Sequence, residues 1–333
     1  MEDLQLHSVS CRVSAYLSGA GLLCWCFYDL RQQLQRQRAE LWKQMAVPLR
    51  VCAYAEQLGE DIPAGSAKDW GPWKLWTLDS AGVAAVLSSD FAGSTAARRF
   101  RDVAQRVQCL FAAKALLWGN DWSEDLLGPL PADRSADALL AANVQRCLPR
   151  FLRFCLMVSR NAPLDGFVFE VRGAPYSHDL PSFTATVRRV LAALSAADPA
   201  GANCLARRVA GRGWYFQFAR EPIFVTTFAP CYDEKNPRYQ FQQHPESCFI
   251  LFQPEESFLR HDLPNDKPRS QTNWEHPVDV RDRIRANFLR HGREYRIPET
   301  TSYPPAEFIV APLDVLKDPP VHFWLEGSAP SGR

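Results

Sequence analysis

The 333-residue chain lacks a dominant charge. Its 38 basic and 37 acidic side chains leave a net charge of +1. No chain-wide field therefore draws it to nucleic acid or to anionic lipid, and neither is expected as a partner. The signatures of several familiar chemistries are also missing. There is no G-x-x-x-x-G-K-[ST] phosphate loop, and no G-x-G-x-x-G follows a strand. The Gly-Arg-Gly at 211–213 leads into strand-like sequence, whereas a phosphate cradle must open a helix. Neither H-E-x-x-H nor G-x-S-x-G occurs. Ten cysteines include no C-x-x-C, the closest pair being Cys24 and Cys26, which excludes a zinc knuckle and a c-type haem attachment. Seven histidines are dispersed, none paired at helical ligand spacing, so spacing defines no metal site.

Long apolar runs are absent too. Residues 15–28 are apolar, but a membrane helix needs about 20 residues. Glu2 and Asp3 precede them, where a signal peptide wants a basic start. A buried helix and no membrane partner are expected. Most cysteines sit within apolar runs, as Cys109 does. They read as buried free thiols of a reducing, cytoplasmic compartment.

What is present is ordinary globular composition, 47% hydrophobic and 23% charged, long enough for one large core or two moderate ones. The first half reads helical over 28–45, 94–119 and 135–159, with Pro149 kinking or dividing the last; loops rich in Gly, Pro, Asp and Trp separate these segments. From about residue 150 the period changes. Strands are expected at 165–173, 213–220, 222–230 and 248–254, with two more at 306–313 and 321–327. Residues 220–222 read as a tight connection between antiparallel strands. The apolar run at 248–254 suits a buried central strand. Helices are expected at 181–199, through Phe183, Val187, Val190 and Leu194, and at 280–296, through Val280, Ile284 and Phe288. The fold class is α+β: a mainly antiparallel sheet flanked by helices, preceded by a helical N-terminal region over 1–150, with the α+β domain over 151–333.

The block at 214–258 carries the chemistry. Phe218, Glu221, Pro222, Phe224 and Pro230 lead into a polar segment ending at Arg238, and Phe252, Gln253, Pro254 and Phe258 follow. This ordered set resembles the YqcI/YcgG family over about residues 163–313. One branch of that family resembles a haem-dependent monooxygenase that hydroxylates a guanidine nitrogen of a modified amino acid. The resemblance implies haem, an oxidoreductase activity and a small nitrogenous metabolite as expectations. The alternative is a non-catalytic ligand-binding or interaction module that keeps the family fold. Where some members carry a histidine two residues after the proline, this sequence has Tyr232, and residues 1–150 hold no counterpart of the family's aromatic-Pro-Cys element.

Haem needs a flat apolar slot, an axial donor and cations for its propionates. Phe228 and Phe252 are candidate walls, and Cys231, Tyr232 and His244 are candidate axial donors. Arg238 is a fork donor suited to a carboxylate or propionate, against the plainer reading of an ion pair with Asp233, Glu234 or Glu255. Gln253, inside a buried run, must hydrogen-bond either backbone or ligand. Arg281 and Arg285 share a helix face four residues apart and form a candidate anion site, or a solvated face.

Overall fold

The computed structural model describes residues 94–126, 135–158, 162–198, 200–211, 214–261, 272–293, 295 and 306–326, with strands at 47–50, 67–70 and 73–76. All belong to one unit, Val47–Arg333. The helices expected at 15–28 and 28–45 lie outside the described residues.

Strands β1 (Val47–Arg50), β2 (Ala67–Trp70) and β3 (Trp73–Trp76) form a small antiparallel sheet ordered β1-β3-β2. Part of this stretch reads as loop in sequence. Residues 67–70 and 73–76 instead pair as strands, with Trp70 opposite Trp73.

The principal sheet has five strands: β4 (Leu117–Asn120), β5 (Gly166–Arg172), β6 (Phe216–Phe218), β7 (Glu221–Phe228) and β8 (Ser247–Pro254). Their order is β4-β5-β8-β7-β6. Only β4 and β5 run parallel; the other neighbours are antiparallel. The fold is α+β. Strand β8 is central, and all eight of its residues are buried, which explains its unbroken apolar run.

Side-chain alternation divides the sheet into two faces. Helix α1 (Thr95–Ala104) covers one, where Phe100 meets Phe228 at 5.1 Å and Phe249 at 5.5 Å between ring centres. On the other, α2 (Ser135–Val158) places Phe151 against Phe167, Phe218 and Phe252. Beyond the short α3 (Ala174–Ser177), helix α4 (Leu180–Ala196) buries Phe183, Val187, Val190 and Leu194 completely and packs against α2 and β6. Helix α5 (Glu255–Arg260) follows β8 directly. Helix α6 (Val280–Arg290) buries Ile284 and Phe288 and gives way to Gly292 in the left-handed region.

Four expectations change. The helix expected over 94–119 starts at its Ser94 cap but ends at Ala104. Residues 117–120 turn into β4 because Leu117 and Trp118 gain burial beside β5, and such tertiary burial overrides helix propensity. Gly119 makes the approach possible: a Cβ there would sit 2.8 Å from Ser94 Oγ and 3.0 Å from the Val168 carbonyl. Helix α2 is continuous across residue 149, so the proline does not divide it. The division expected at residue 150 falls inside α2, and β4 before it pairs with β5 after it. Finally, neither 306–313 nor 321–326 is a strand; the first opens with a 3-10 turn at Ala306–Phe308.

Candidate functional site

The segment from Phe228 to His244 leaves β7 and returns to β8. It is a clasp. Thr227 Oγ1 donates to the Ile309 carbonyl at 2.5 Å, and the Tyr232 hydroxyl to that of Ala311 at 2.9 Å. Asn236 Nδ2 donates to Pro312 O at 2.8 Å and Leu313 O at 3.0 Å, and Arg238 reaches Phe308 O at 3.3 Å. Side-chain donors thus occupy carbonyls that a neighbouring strand would otherwise take, which is why 306–313 is not a strand. Arg293 closes the other side, its guanidinium 4.6 Å from the Phe241 ring centre and its Nε bonded to Glu234 O at 2.8 Å. Burial pulls the Arg293 pKa down.

Two buried polar side chains in this clasp stand out. Arg238 is only 7% exposed and lies 5.6 Å over the ring of Phe228. No carboxylate among the described residues pairs with it; the expected ion pair with Asp233, Glu234 or Glu255 does not form, and the Phe308 carbonyl is its one hydrogen-bond acceptor. Its charge pulls down the pKa of Cys109, which burial pushes up more strongly. Gln240 is 2% exposed, and neither its acceptor Oε1 nor its donor Nε2 has a partner among the described residues. Buried amides are ordinarily satisfied. Just beyond, Phe241, Gln242 and His244 take φ of 56°, 56° and 51°, a left-handed run that non-glycine residues hold at a cost. A cation with no counter-charge and an amide with no partner among the described residues, and a strained turn, lie within seven residues.

The other expected site residues are spent differently. Tyr232 is buried with its phenol held by Ala311 and its ring edge-on to Phe183, and burial puts its pKa well above the usual value. Burial likewise pushes the Cys231 thiol up to about 12. His244 Nε2 meets Asp102 Oδ2 at 2.9 Å. Phe228 and Phe252 do not wall a slot: Phe100 fills the space against the first and Phe151, at 4.8 Å, against the second. These residues do not fit haem as placed. Arg281 lies 3.9 Å from both Asp279 and Asp282, and buried Arg285 donates to Thr272 Oγ1 at 2.7 Å; both point to protein groups.

Sequence reading missed Gln240, which looks like one more polar loop residue. It also missed Asp165 and His261, whose 3.0 Å contact joins positions 96 residues apart; spacing carries no signal at that range. Among the described residues no group of three or more His, Cys, Asp or Glu side chains could hold a metal ion, and no helix is long and apolar enough to cross a membrane.

Fold and site together define an α+β protein with a mixed five-stranded sheet and a buried cation at the β7–β8 connection. No protein-family model, curated protein or solved structure matches the chain.

Proposed function

We propose that this protein is a small-molecule-binding module of YqcI/YcgG type whose ligand carries an anionic group held by Arg238. The single observation that carries this reading is the Arg238 guanidinium, buried over Phe228 with, among the described residues, one carbonyl acceptor and no carboxylate partner. Burying a charge is costly unless it is paired. Arginine's planar fork suits carboxylate or phosphate. The family resemblance supplies the ligand-binding context, and the filled spaces around Phe228 and Phe252 favour the non-haem alternative within it.

Thermal unfolding in the presence of acetate, benzoate, oxalate and inorganic phosphate tests the reading, with haem titration alongside. At least one anion raises the midpoint in the native protein and not in Arg238→Met, by about 2.7 kcal/mol of added stability at a hundredfold excess over Kd. A saturable Soret band that survives Arg238→Met, with no anion effect, overturns it in favour of a haem protein.

A further inference from the structure

Two residues after Arg238 stands a second polar side chain whose bonding capacity is unused. Gln240 is 2% exposed, and its Oε1 and Nε2 are both buried with no partner among the described residues. An amide that leaves water without gaining a partner forfeits its hydration for nothing. Arg238 and Gln240 are neighbours by covalent geometry, their Cα atoms lying within about 7 Å of each other. The backbone that presents them is pinned on both sides. Arg238 N donates to Asn236 Oδ1 at 2.9 Å, Tyr239 N to Asn236 O at 3.1 Å, and Gln243 N to Gln240 O at 2.9 Å. Asn236 is itself anchored to Pro312 O and Leu313 O. The pair lies one layer beneath the surface: Tyr239 and Phe241 on either side of Gln240 are half-buried, and Gln242 is exposed.

The two side chains ask for different chemistry. Arg238 offers N–H donors only, one of them spent on Phe308 O at 3.3 Å. An anion satisfies it. Gln240 offers an acceptor and an NH2 donor. It is satisfied by a group that carries a donor and an acceptor on one edge, as a carboxamide does when set head to tail against it. A second carboxylate fails this requirement, because its oxygens can accept from Nε2 but face Oε1 lone pair to lone pair. An ester fails it too, having no donor.

We propose that Arg238 and Gln240 together bind a short acid amide, a carboxylate with a carboxamide a few bonds away. This rests on the reading of Arg238 as the holder of an anion and names the group beside that anion. The carboxylate takes the Arg238 fork. The amide N–H donates to Gln240 Oε1, and the amide carbonyl accepts from Gln240 Nε2.

Calorimetric titration of the full-length protein with oxamate, malonamate and succinamate tests this. Each is compared with its dicarboxylate and with its monomethyl ester, which keeps the carbonyl and lacks the N–H. The expected result is that at least one acid amide binds about tenfold tighter than both of its counterparts, a comparison that needs no variant. Gln240→Leu abolishes that preference and melts no lower than the native protein, because it removes an unsatisfied buried amide. Gln240→Met, closer in shape, gives the same result. Arg238→Met abolishes binding of all three kinds of acid. Acids that bind through Arg238 with no preference for the amide, or a preference that survives in both Gln240 variants, overturn this proposal and leave the anion reading standing; Gln240 then holds an ordered water only. No binding by any acid, or binding that Arg238→Met does not alter, overturns both.

Discussion

The phenol of Tyr232 donates to the backbone carbonyl of Ala311 at 2.9 Å, joining the β7–β8 connection to a segment 79 residues further on. Tyr232→Phe leaves that carbonyl buried without its donor, at a cost of about 1 kcal/mol. Asn236→Ala removes donors to Pro312 and Leu313 and the acceptor for Arg238 N, at about 3 kcal/mol. Denaturant unfolding measures both. Hydrogen exchange then shows amides of 306–313 losing protection before β8 does.

A buried carboxylate in mid-strand makes a sharper case. Glu170 is 1% exposed, and its Oε1 accepts from Arg99 and Ser247 at 2.8 and 2.6 Å while Oε2 has no partner. Arg99→Ala leaves that charge without its cation and destabilises by about 3 kcal/mol. Adding Glu170→Gln recovers part of the loss, because the amide carries no charge to compensate. A double-mutant cycle on the unfolding free energy checks it.

Local pattern made the centre of the fold legible. The apolar run of β8, the alternation in β6 and β7 and the stripe of α4 are each written within a few residues, so period alone reveals them. What escaped depends on distant partners. Leu117–Asn120 continues a helix-like sequence and becomes a strand only because β5 lies beside it. Residues 306–313 have strand-like apolarity, but Thr227, Tyr232, Asn236 and Arg238 take their carbonyls. Gln253 was legible as a candidate because it is a polar residue in apolar text, and Arg238 because it ends a polar segment between a proline and an aromatic. Gln240, Asp165 and His261 were not, since their significance comes from burial and pairing.

Titration gives a signed expectation. Burial raises the Cys231 thiol from 9.0 to about 12, with Asp179 adding to the shift. Below pH 9 the thiol is neutral in both folded and unfolded chains. Between about pH 9 and 12 the unfolded chain ionises first, so stability falls as pH rises through that window. Cys231→Ala removes this share of the decline, measured as a shallower loss of unfolding free energy with pH. At pH 8 the native thiol reacts slowly with iodoacetamide and rapidly once denatured.

The β6–β7 turn holds strain that can be relieved. Phe218 pairs with Glu221, leaving Ala219 and Arg220 as a two-residue loop with φ of 49° and 68°. Turns of this kind favour glycine or asparagine, and other side chains hold the left-handed region at about 1–2 kcal/mol each. The Asp198 carboxylate offsets part of this by accepting Ala219 N at 2.8 Å. Arg220→Gly therefore stabilises, by about 0.5 kcal/mol once glycine's greater freedom in the unfolded chain is counted. Thermal unfolding detects the rise. Asp198→Ala moves the midpoint the other way.

Arg238 separates a structural role from a ligand-holding one by the sign of a single measurement. If the guanidinium were there to hold the fold, removing it would cost its bond to Phe308 O and its contact with Phe228. A bond of 3.3 Å to one carbonyl is a weak return for a buried, unpaired cation. Arg238→Met keeps the length of the side chain and its packing on the ring while discarding the charge. The expected outcome is a ligand-free protein more stable by about 1 kcal/mol that no longer responds to any anion. Stability gained together with binding lost marks a residue kept for its ligand. A drop in stability assigns Arg238 to the clasp alone.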